Sequence, residues 1–283
     1  MAPTKSKPRK SKKKEVHRDL HLVSPLLQGP DVKALQQSLN QLCKHYEFGW
    51  RKIAEDGEFG AHTADQAAFA AFLVGLVESR IKAIEKGRIP QEVQVLLRNP
   101  EKRSKEDKAR EAKRRPKLKK MRKQHKEGMK AAVEWMVKHV GVKESPPSSN
   151  HGPYPIDECQ AHFGLSGVPW CGCVVGYAIE EVGGIETNVY WPYAGSIHQD
   201  AVARRNGLEA IDPARADVGC VATFFSGGDD HVGLVRAKSK GGTLFTVEGN
   251  TSSATRSSDG GIIELKEHPF SEVTCVARLT IHP

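Results

Sequence analysis

Three residues that together support nucleophilic catalysis occur in order along the C-terminal half of the chain: Cys171, His231 and Glu248. Pro169 and Trp170 precede the cysteine, and small and apolar residues follow it at helical spacing, so we expect Cys171 in the first turn of a helix. At that position, unpaired backbone N–H groups and the helix dipole stabilise a thiolate and, later, an oxyanion. A histidine and an orienting carboxylate or amide complete such a site.

The histidine and its partner lie on two predicted strands. His231 begins a β-branched run, a second run ends at Glu248, and the pair Gly241-Gly242 marks a turn between them. If the hairpin is centred two residues before this glycine pair, Glu248 lies opposite His231. If it is centred one residue before the glycine pair, Asn250 lies opposite His231. Glu248 and Asn250 face the same side of the strand because they are two residues apart, so either can orient the imidazole. The alternative for His231 is a structural role at a strand end.

The other cysteines are interpreted as core residues. Cys171 and Cys173 point about 200° apart on a helix, so only one of them can face a given site. A free cysteine is usually a small buried hydrophobic residue, which is our interpretation of Cys173, Cys220 and Cys275. A zinc site built from Cys171, Cys173, Cys220 and His231 is disfavoured, because structural zinc sites usually place paired cysteines two to four residues apart. We therefore predict no metal and no cofactor.

Positive charge is concentrated in two segments of this chain of 283 residues with a net charge of +9. Residues 1–18 contain eight Lys/Arg and one acid, and residues 101–127 contain fourteen Lys/Arg and five acids. The first segment has almost nothing apolar and is predicted to be a disordered tail.

No signal peptide is visible, and the longest apolar run, Ala67 to Val77, is shorter than the ~20 residues that span a bilayer. The six cysteines are then expected to be reduced thiols.

Residues 20–75 combine turn signals with an amphipathic helix. Val32, Leu35 and Leu39 follow one another at the spacing that places side chains on one helix face. The stretch Asp56–Gly60 has the composition of a turn, and a second helix is expected to begin just after it. A small helical domain is therefore predicted.

The middle of the chain is predicted to connect two domains. Residues 99–127 are highly charged and lack a core-facing stripe, which indicates a semi-rigid, partly helical linker. Residues 128–142 are amphipathic, and a loop rich in Pro, Ser and Gly follows. Asn150 in this loop either lines the site or caps its own turn. The aromatic segment Tyr190–Tyr193 either lines a groove or packs beneath it.

Between Gly128 and Leu279 the motifs resemble the CHAP family of papain-like cell-wall hydrolases. They are Gly141-Val142-Lys143-Glu144-Ser145, Ser149-Asn150, the Trp170-Cys171 helix, Ala216-Asp217-Val218-Gly219, His231-Val232-Gly233-Leu234-Val235 and Val247-Glu248-Gly249-Asn250. The resemblance implies an α+β papain-like fold with an antiparallel sheet and catalytic roles for Cys171, His231 and Glu248, with Asn250 assisting. It also implies that Trp170 and Asn150 contact substrate.

Residues 20–75 resemble the peptidoglycan-binding type 1 domain, a small three-helix bundle. The resemblance implies wall contacts from Asp56, Phe59 and Thr63. A short insertion around Lys44 to Trp50 and an altered closing segment, Gln66 to Phe72, depart from the pattern. A plain helical packing module is the alternative.

These predictions define a multidomain chain with four parts. They are a basic tail (1–18), a peptidoglycan-binding helical domain (19–98), a charged linker (99–127) and a CHAP-like catalytic domain (128–283). Together they suggest a phage endolysin: a monomeric cysteine amidase or endopeptidase made in the host cytoplasm and acting on cell-wall peptidoglycan after release. Its basic segments are expected to attract anionic wall polymers. The alternative is a basic polyanion- or nucleic-acid-binding protein with an inert cysteine domain, although no nucleic-acid-binding motif is recognisable.

Overall fold

The structure is a computed structural model that describes residues 18–47, 52–203, 205–226, 229–251 and 260–280. The predicted basic tail lies outside these residues except for Arg18. The chain divides into two compact units, residues 1–117 and 118–283. No helix among the described residues has both the length and the apolar character needed to cross a membrane.

The first unit is mainly helical. Its helices are α1 (Pro30–His45), α2 (Ala61–Leu73), α3 (Glu78–Glu85) and α4 (Gln91–Arg98). Two short antiparallel pairs join its segments: β1 (Leu20–His21) with β4 (Arg88–Ile89), and β2 (Leu27–Gln28) with β3 (Glu58–Phe59). The predicted apolar face of α1 is fully buried at Val32, Leu35 and Leu39. The described part of this unit thus contains these four helices and the beginning of a fifth, where a three-helix domain was expected.

Most of the charged segment predicted to be a partly helical linker belongs to a long helix, α5 (Lys105–Lys138). Within the first unit, Arg110 Nε donates to the Gly75 carbonyl (2.8 Å), and Arg114 Nη1 donates to the carbonyls of Phe72 in α2 (2.9 Å) and of Leu76 beyond it (3.2 Å). These hydrogen bonds tie the first turns of α5 to the end of α2 and to the residues that follow it. Because they come from arginines and not from an apolar stripe, the sequence pattern gave no sign of them.

The second unit has the predicted α+β composition and antiparallel sheet. Its further helices are α6 (Ile156–His162), α7 (Cys171–Tyr177) and α8 (Ala194–Ala203). Its strands are β5 (Leu208–Ile211), β6 (Val221–Ser226), β7 (Asp229–Lys240), β8 (Thr243–Thr251), β9 (Ile262–Pro269) and β10 (Cys275–Leu279). They form one six-stranded antiparallel sheet in the order β5-β10-β6-β7-β8-β9.

Apolar clusters lie on the sheet and its helices. The larger cluster joins the second half of α5, α6, α7 and α8 to strand residues such as Val232 and Val247. A second cluster includes Phe224, Val235 and Leu244. Helix α7 packs on β7 and β8, so the start of α7 lies beside the two strands that carry His231 and Glu248.

The turn between β7 and β8 lies at Gly241-Gly242 itself, beyond both predicted centres. Both glycines have left-handed backbone angles (φ 61° and 80°), which suits a two-residue hairpin turn. Two register shifts along β7 then bring Gly233 opposite Glu248. His231 is two residues from Gly233, so it lies on the same face as Glu248 and diagonally across from it.

Candidate active site

Cys171 is the first residue of α7 and only 3 % exposed. Trp170 precedes the helix, and its carbonyl accepts a hydrogen bond from the Val174 N–H (3.0 Å), which closes the first turn. The sulfur therefore lies at the helix end where N–H groups are directed outward, an environment that stabilises negative charge.

His231 lies between Cys171 and Glu248. Its Nε2 donates to Glu248 Oε2 (3.0 Å), while the buried Nδ1 has no hydrogen-bond partner among the described residues. Because the Cys171 thiol interacts with the same ring, Nδ1 is the nitrogen left to exchange a proton with the sulfur. Burial alone lowers the pKa of His231, but Cys171 and Glu248 outweigh it and raise this pKa to about 10. Both neighbours therefore favour the protonated form of the His231 imidazole.

Glu248 is almost completely buried and accepts three hydrogen bonds. The donors are His231 Nε2, His268 Nε2 (2.6 Å from Oε1) and the Thr246 hydroxyl. Burial raises the pKa of Glu248, but the two histidines outweigh it and hold this pKa well below its ordinary value. The carboxylate is therefore ionised and fixed in orientation, as a buried charge requires.

Asn250, the other candidate for orienting His231, is engaged elsewhere. It has a left-handed backbone (φ 54°), and its Oδ1 accepts from the Gly261 N–H (3.2 Å). Its Nδ2 is buried and has no hydrogen-bond partner in the part of the chain that the structure describes. Of the two alternatives, Glu248 is thus the residue that contacts the imidazole.

Trp170, expected to contact substrate, is fully buried. Its Nε1 donates to Glu144 Oε1 (2.9 Å), and its ring lies against the backbone of Gly249. The indole therefore belongs to the core, where its large apolar surface is shielded from water, and its contact with substrate stays a prediction.

Asn150 lies in a half-buried loop and has left-handed backbone angles (φ 55°). Its carbonyl accepts from Gln160 Nε2 (2.6 Å), and Gln160 Oε1 accepts from the Val168 N–H (2.9 Å). These bonds tie the Asn150 loop to the segment that enters α7. The buried Asn150 Oδ1 has no partner, so the predicted turn-capping bond is not seen.

The aromatic segment before α8 divides into buried and exposed members. Trp191 is fully buried, whereas Tyr190 and Tyr193 are 58 % and 51 % exposed. The main chain at Trp191 lies against Gly172, the residue after Cys171. The segment thus borders the start of α7 and presents two tyrosines to solvent there.

Two of the three predicted wall-contacting residues in the first unit are buried. Phe59 is fully buried, and Thr63 accepts a hydrogen bond from Gln36 (3.2 Å) inside the unit. In this structure both side chains therefore face the interior of the unit, and their contact with the wall stays a prediction. Asp56 borders an open cavity of about 380 Å³ that Lys33 also lines.

The six cysteines are all buried, and none of them forms a disulfide. Burial raises the pKa of Cys173 to about 12 and that of Cys275 to about 11, so both thiols are protonated core groups. No group of three or more His, Cys, Asp or Glu side chains in the described part of the chain is arranged to hold a metal ion.

His268 was missed by the sequence analysis. It lies on β9, and its ring packs on Phe224 (centroids 4.2 Å apart). No spacing signal marks it, because its contact with Glu248 depends on how β8 and β9 pair. A lone histidine in this part of the sequence carries no such information.

Comparison of the chain with protein-family models, curated proteins and solved structures found no match. The site is therefore interpreted from its own chemistry. A cysteine at a helix start, a histidine and a buried carboxylate in series are the parts of a nucleophile, its base and an orienting group. Such a series can carry out acyl transfer.

Proposed function

We propose that the chain is a cysteine-dependent peptidoglycan amide hydrolase, either an N-acetylmuramoyl-L-alanine amidase or a peptidoglycan endopeptidase, that acts as a phage endolysin. The series Cys171–His231–Glu248 is the observation that carries the proposal, because it supplies the nucleophile, the base and the orienting acid. The substrate class comes from the motif order, which is similar to that of the CHAP family.

In the first half-reaction His231 Nδ1 takes the proton of Cys171. The thiolate attacks the amide carbonyl carbon, and the carbonyl oxygen becomes an oxyanion stabilised by N–H groups at the start of α7. His231 then gives its proton to the leaving amine as the C–N bond breaks. A thioester between Cys171 and the acyl part of the substrate remains.

In the second half-reaction water resolves the thioester. His231 takes a proton from the water, the resulting hydroxide attacks the thioester carbonyl, and Cys171 leaves as a thiolate. Glu248 stays ionised throughout and holds the imidazolium through Nε2. The cycle uses only side chains and backbone groups of this chain together with water.

The proposal is tested by digesting purified peptidoglycan with the wild-type chain, Cys171→Ala and Cys173→Ala. We expect Cys171→Ala to lose hydrolysis entirely and Cys173→Ala, which changes a core thiol two residues away, to retain it. Mass spectrometry of the fragments identifies the bond: free L-alanine amines indicate an amidase, and new termini within the peptides indicate an endopeptidase.

Equal hydrolysis by the wild type and Cys171→Ala would show that Cys171 is not the nucleophile. Absence of cleavage by every variant would favour the alternative of a polyanion-binding protein, whose binding would survive Cys171→Ala.

A further inference from the structure

The carboxylate of Glu248 is held from two sides by imidazoles. His231 Nε2 donates to Oε2 at 3.0 Å, and His268 Nε2 donates to Oε1 at 2.6 Å. The Thr246 hydroxyl also donates to Oε1. Both oxygens of one buried carboxylate are therefore engaged, and the shorter of the two histidine contacts is the one outside the catalytic series.

We propose that His268 is a positioning residue of the active site, which fixes Glu248 so that its other oxygen faces His231. This inference rests on the proposed function for its meaning in catalysis. The physical reason is rotational: without His268, only His231 and the neutral Thr246 hydroxyl restrain rotation of the carboxylate about its last side-chain bond, whereas the His268 N–H is a further donor on Oε1 that restricts this rotation.

His268 is itself held in place. Its ring packs on Phe224 at 4.2 Å between centroids, and its Nδ1 lies 3.8 Å from Glu272 Oε2. The side chain is only 14 % exposed. The contacts thus run in series from His231 through Glu248 and His268 to Glu272, and each member limits the motion of the next.

The other charged groups near Glu248 do not replace this contact. Glu264 lies directly opposite Glu248 across β8 and β9, and it pairs with Lys266 at 3.0 Å. On β7, His231 contacts Glu248 and in turn interacts with Cys171. Without His268, Oε1 of Glu248 keeps Thr246 as its donor, a neutral group on its own strand.

A matched pair of amide variants tests the proposal. Gln in place of His268 puts an N–H donor near the position of Nε2, whereas Asn puts its donor near the position of Nδ1 and cannot reach Glu248. We expect His268→Asn to lower kcat for peptidoglycan hydrolysis by about tenfold with KM little changed, the size of effect that loss of one hydrogen bond to a charged group produces. His268→Gln should recover most of the rate.

A second readout needs no peptidoglycan. The rate at which iodoacetamide alkylates Cys171, followed by peptide mass spectrometry across pH, reports the thiolate. His268 helps to keep the pKa of Glu248 low. In His268→Asn the acid limb of the alkylation profile should therefore move to higher pH, and in His268→Gln it should stay near the wild-type position.

His162→Phe is the control, because His162 also contacts a carboxylate (Glu180, 3.2 Å) but lies in α6. It should leave kcat and the alkylation profile unchanged. Thermal unfolding of each variant separates a local effect from a loss of folded protein.

Equal alkylation profiles for the wild type and His268→Asn would overturn the positioning role, and so would equal losses in His268→Asn and His268→Gln. A different result is that the wild type hydrolyses no peptidoglycan, while the alkylation profile of His268→Asn alone is shifted from that of the wild type. In that case the proposed function fails and the positioning role stands.

Discussion

At the scale of single residues, the site depends on charges that are buried and paired. Cys171, His231 and Glu248 are each at most 5 % exposed. Burying such groups is costly unless each finds partners, and here the carboxylate accepts three donors. Removing one member therefore leaves its neighbour as an uncompensated buried group. Substitutions at the two candidates for the third position, Glu248 and Asn250, should therefore have clearly different effects on hydrolysis.

We predict that Glu248→Gln lowers kcat by about 10²- to 10⁴-fold, because the neutral amide no longer stabilises the imidazolium or fixes the tautomer. Asn250→Gly keeps the left-handed backbone accessible and should lower kcat by less than about tenfold. Steady-state hydrolysis of peptidoglycan, with unfolding measured in parallel, checks both. A larger loss in Asn250→Gly would identify Asn250 as the orienting residue.

At the scale of elements, the pairing of β7 with β8 sets the geometry of His231 and Glu248. Gly233 lies directly opposite Glu248, and a methyl group on Gly233 would overlap the Glu248 side chain. The missing side chain at this position leaves the space that the carboxylate occupies. The hairpin turn at Gly241-Gly242, by contrast, has open space around it.

Gly233→Ala is therefore predicted to displace Glu248 and to lower kcat by at least tenfold, the effect of about 1.4 kcal/mol or more on the barrier. Gly242→Ala is the matched control: its left-handed backbone (φ 80°) makes it destabilising by about 1–2 kcal/mol, but it should retain kcat. Urea unfolding and hydrolysis rates measured on both variants make the comparison. If the two substitutions reduce activity only in proportion to lost stability, the space at Gly233 has no special role.

At the scale of the whole molecule, charge is strongly segregated. The two segments at residues 1–18 and 101–127 are basic, whereas the remaining residues together carry net negative charge. In the described part of the second segment, most of the Lys side chains are exposed on α5. Exposed cations in such density attract polyanions through screened, long-range interactions, which weaken as salt is added.

We predict that replacing five exposed α5 lysines by Gln weakens retention on intact cell walls and reduces its dependence on NaCl. They are Lys113, Lys117, Lys119, Lys120 and Lys126. Hydrolysis of a short soluble peptidoglycan fragment should be unchanged, because no lysine takes part in the proposed chemistry.

The control replaces the same number of exposed lysines outside this segment. They are Lys44, Lys82, Lys86, Lys238 and Lys240, none of which lies on α5. Sedimentation with purified walls at several salt concentrations measures retention. Equal losses in both five-fold variants would mean that net charge, and not its placement on α5, governs retention.

Local signals in the sequence were sufficient to predict the start of α7 at Cys171, the apolar face of α1 and the strands of His231 and Glu248. Each of these depends on neighbouring residues: a proline before a helix, an apolar repeat, or a β-branched run. The burial of Trp170, Phe59 and Thr63 could not be predicted in the same way, because burial is a property of packing. A motif that contains an aromatic or hydroxyl side chain does not reveal which of its faces is covered.

The sequence by itself determined which residues are chemically able to act and which elements carry them. Only the tertiary structure decided that Glu248 holds His231, that Asn250 turns away and that His268 closes the far side of the carboxylate. The physical reason is register. Glycine conformations at the turn and two shifts along β7 set which residues are opposed across three strands, and a displacement of one residue exchanges the side chains on each face.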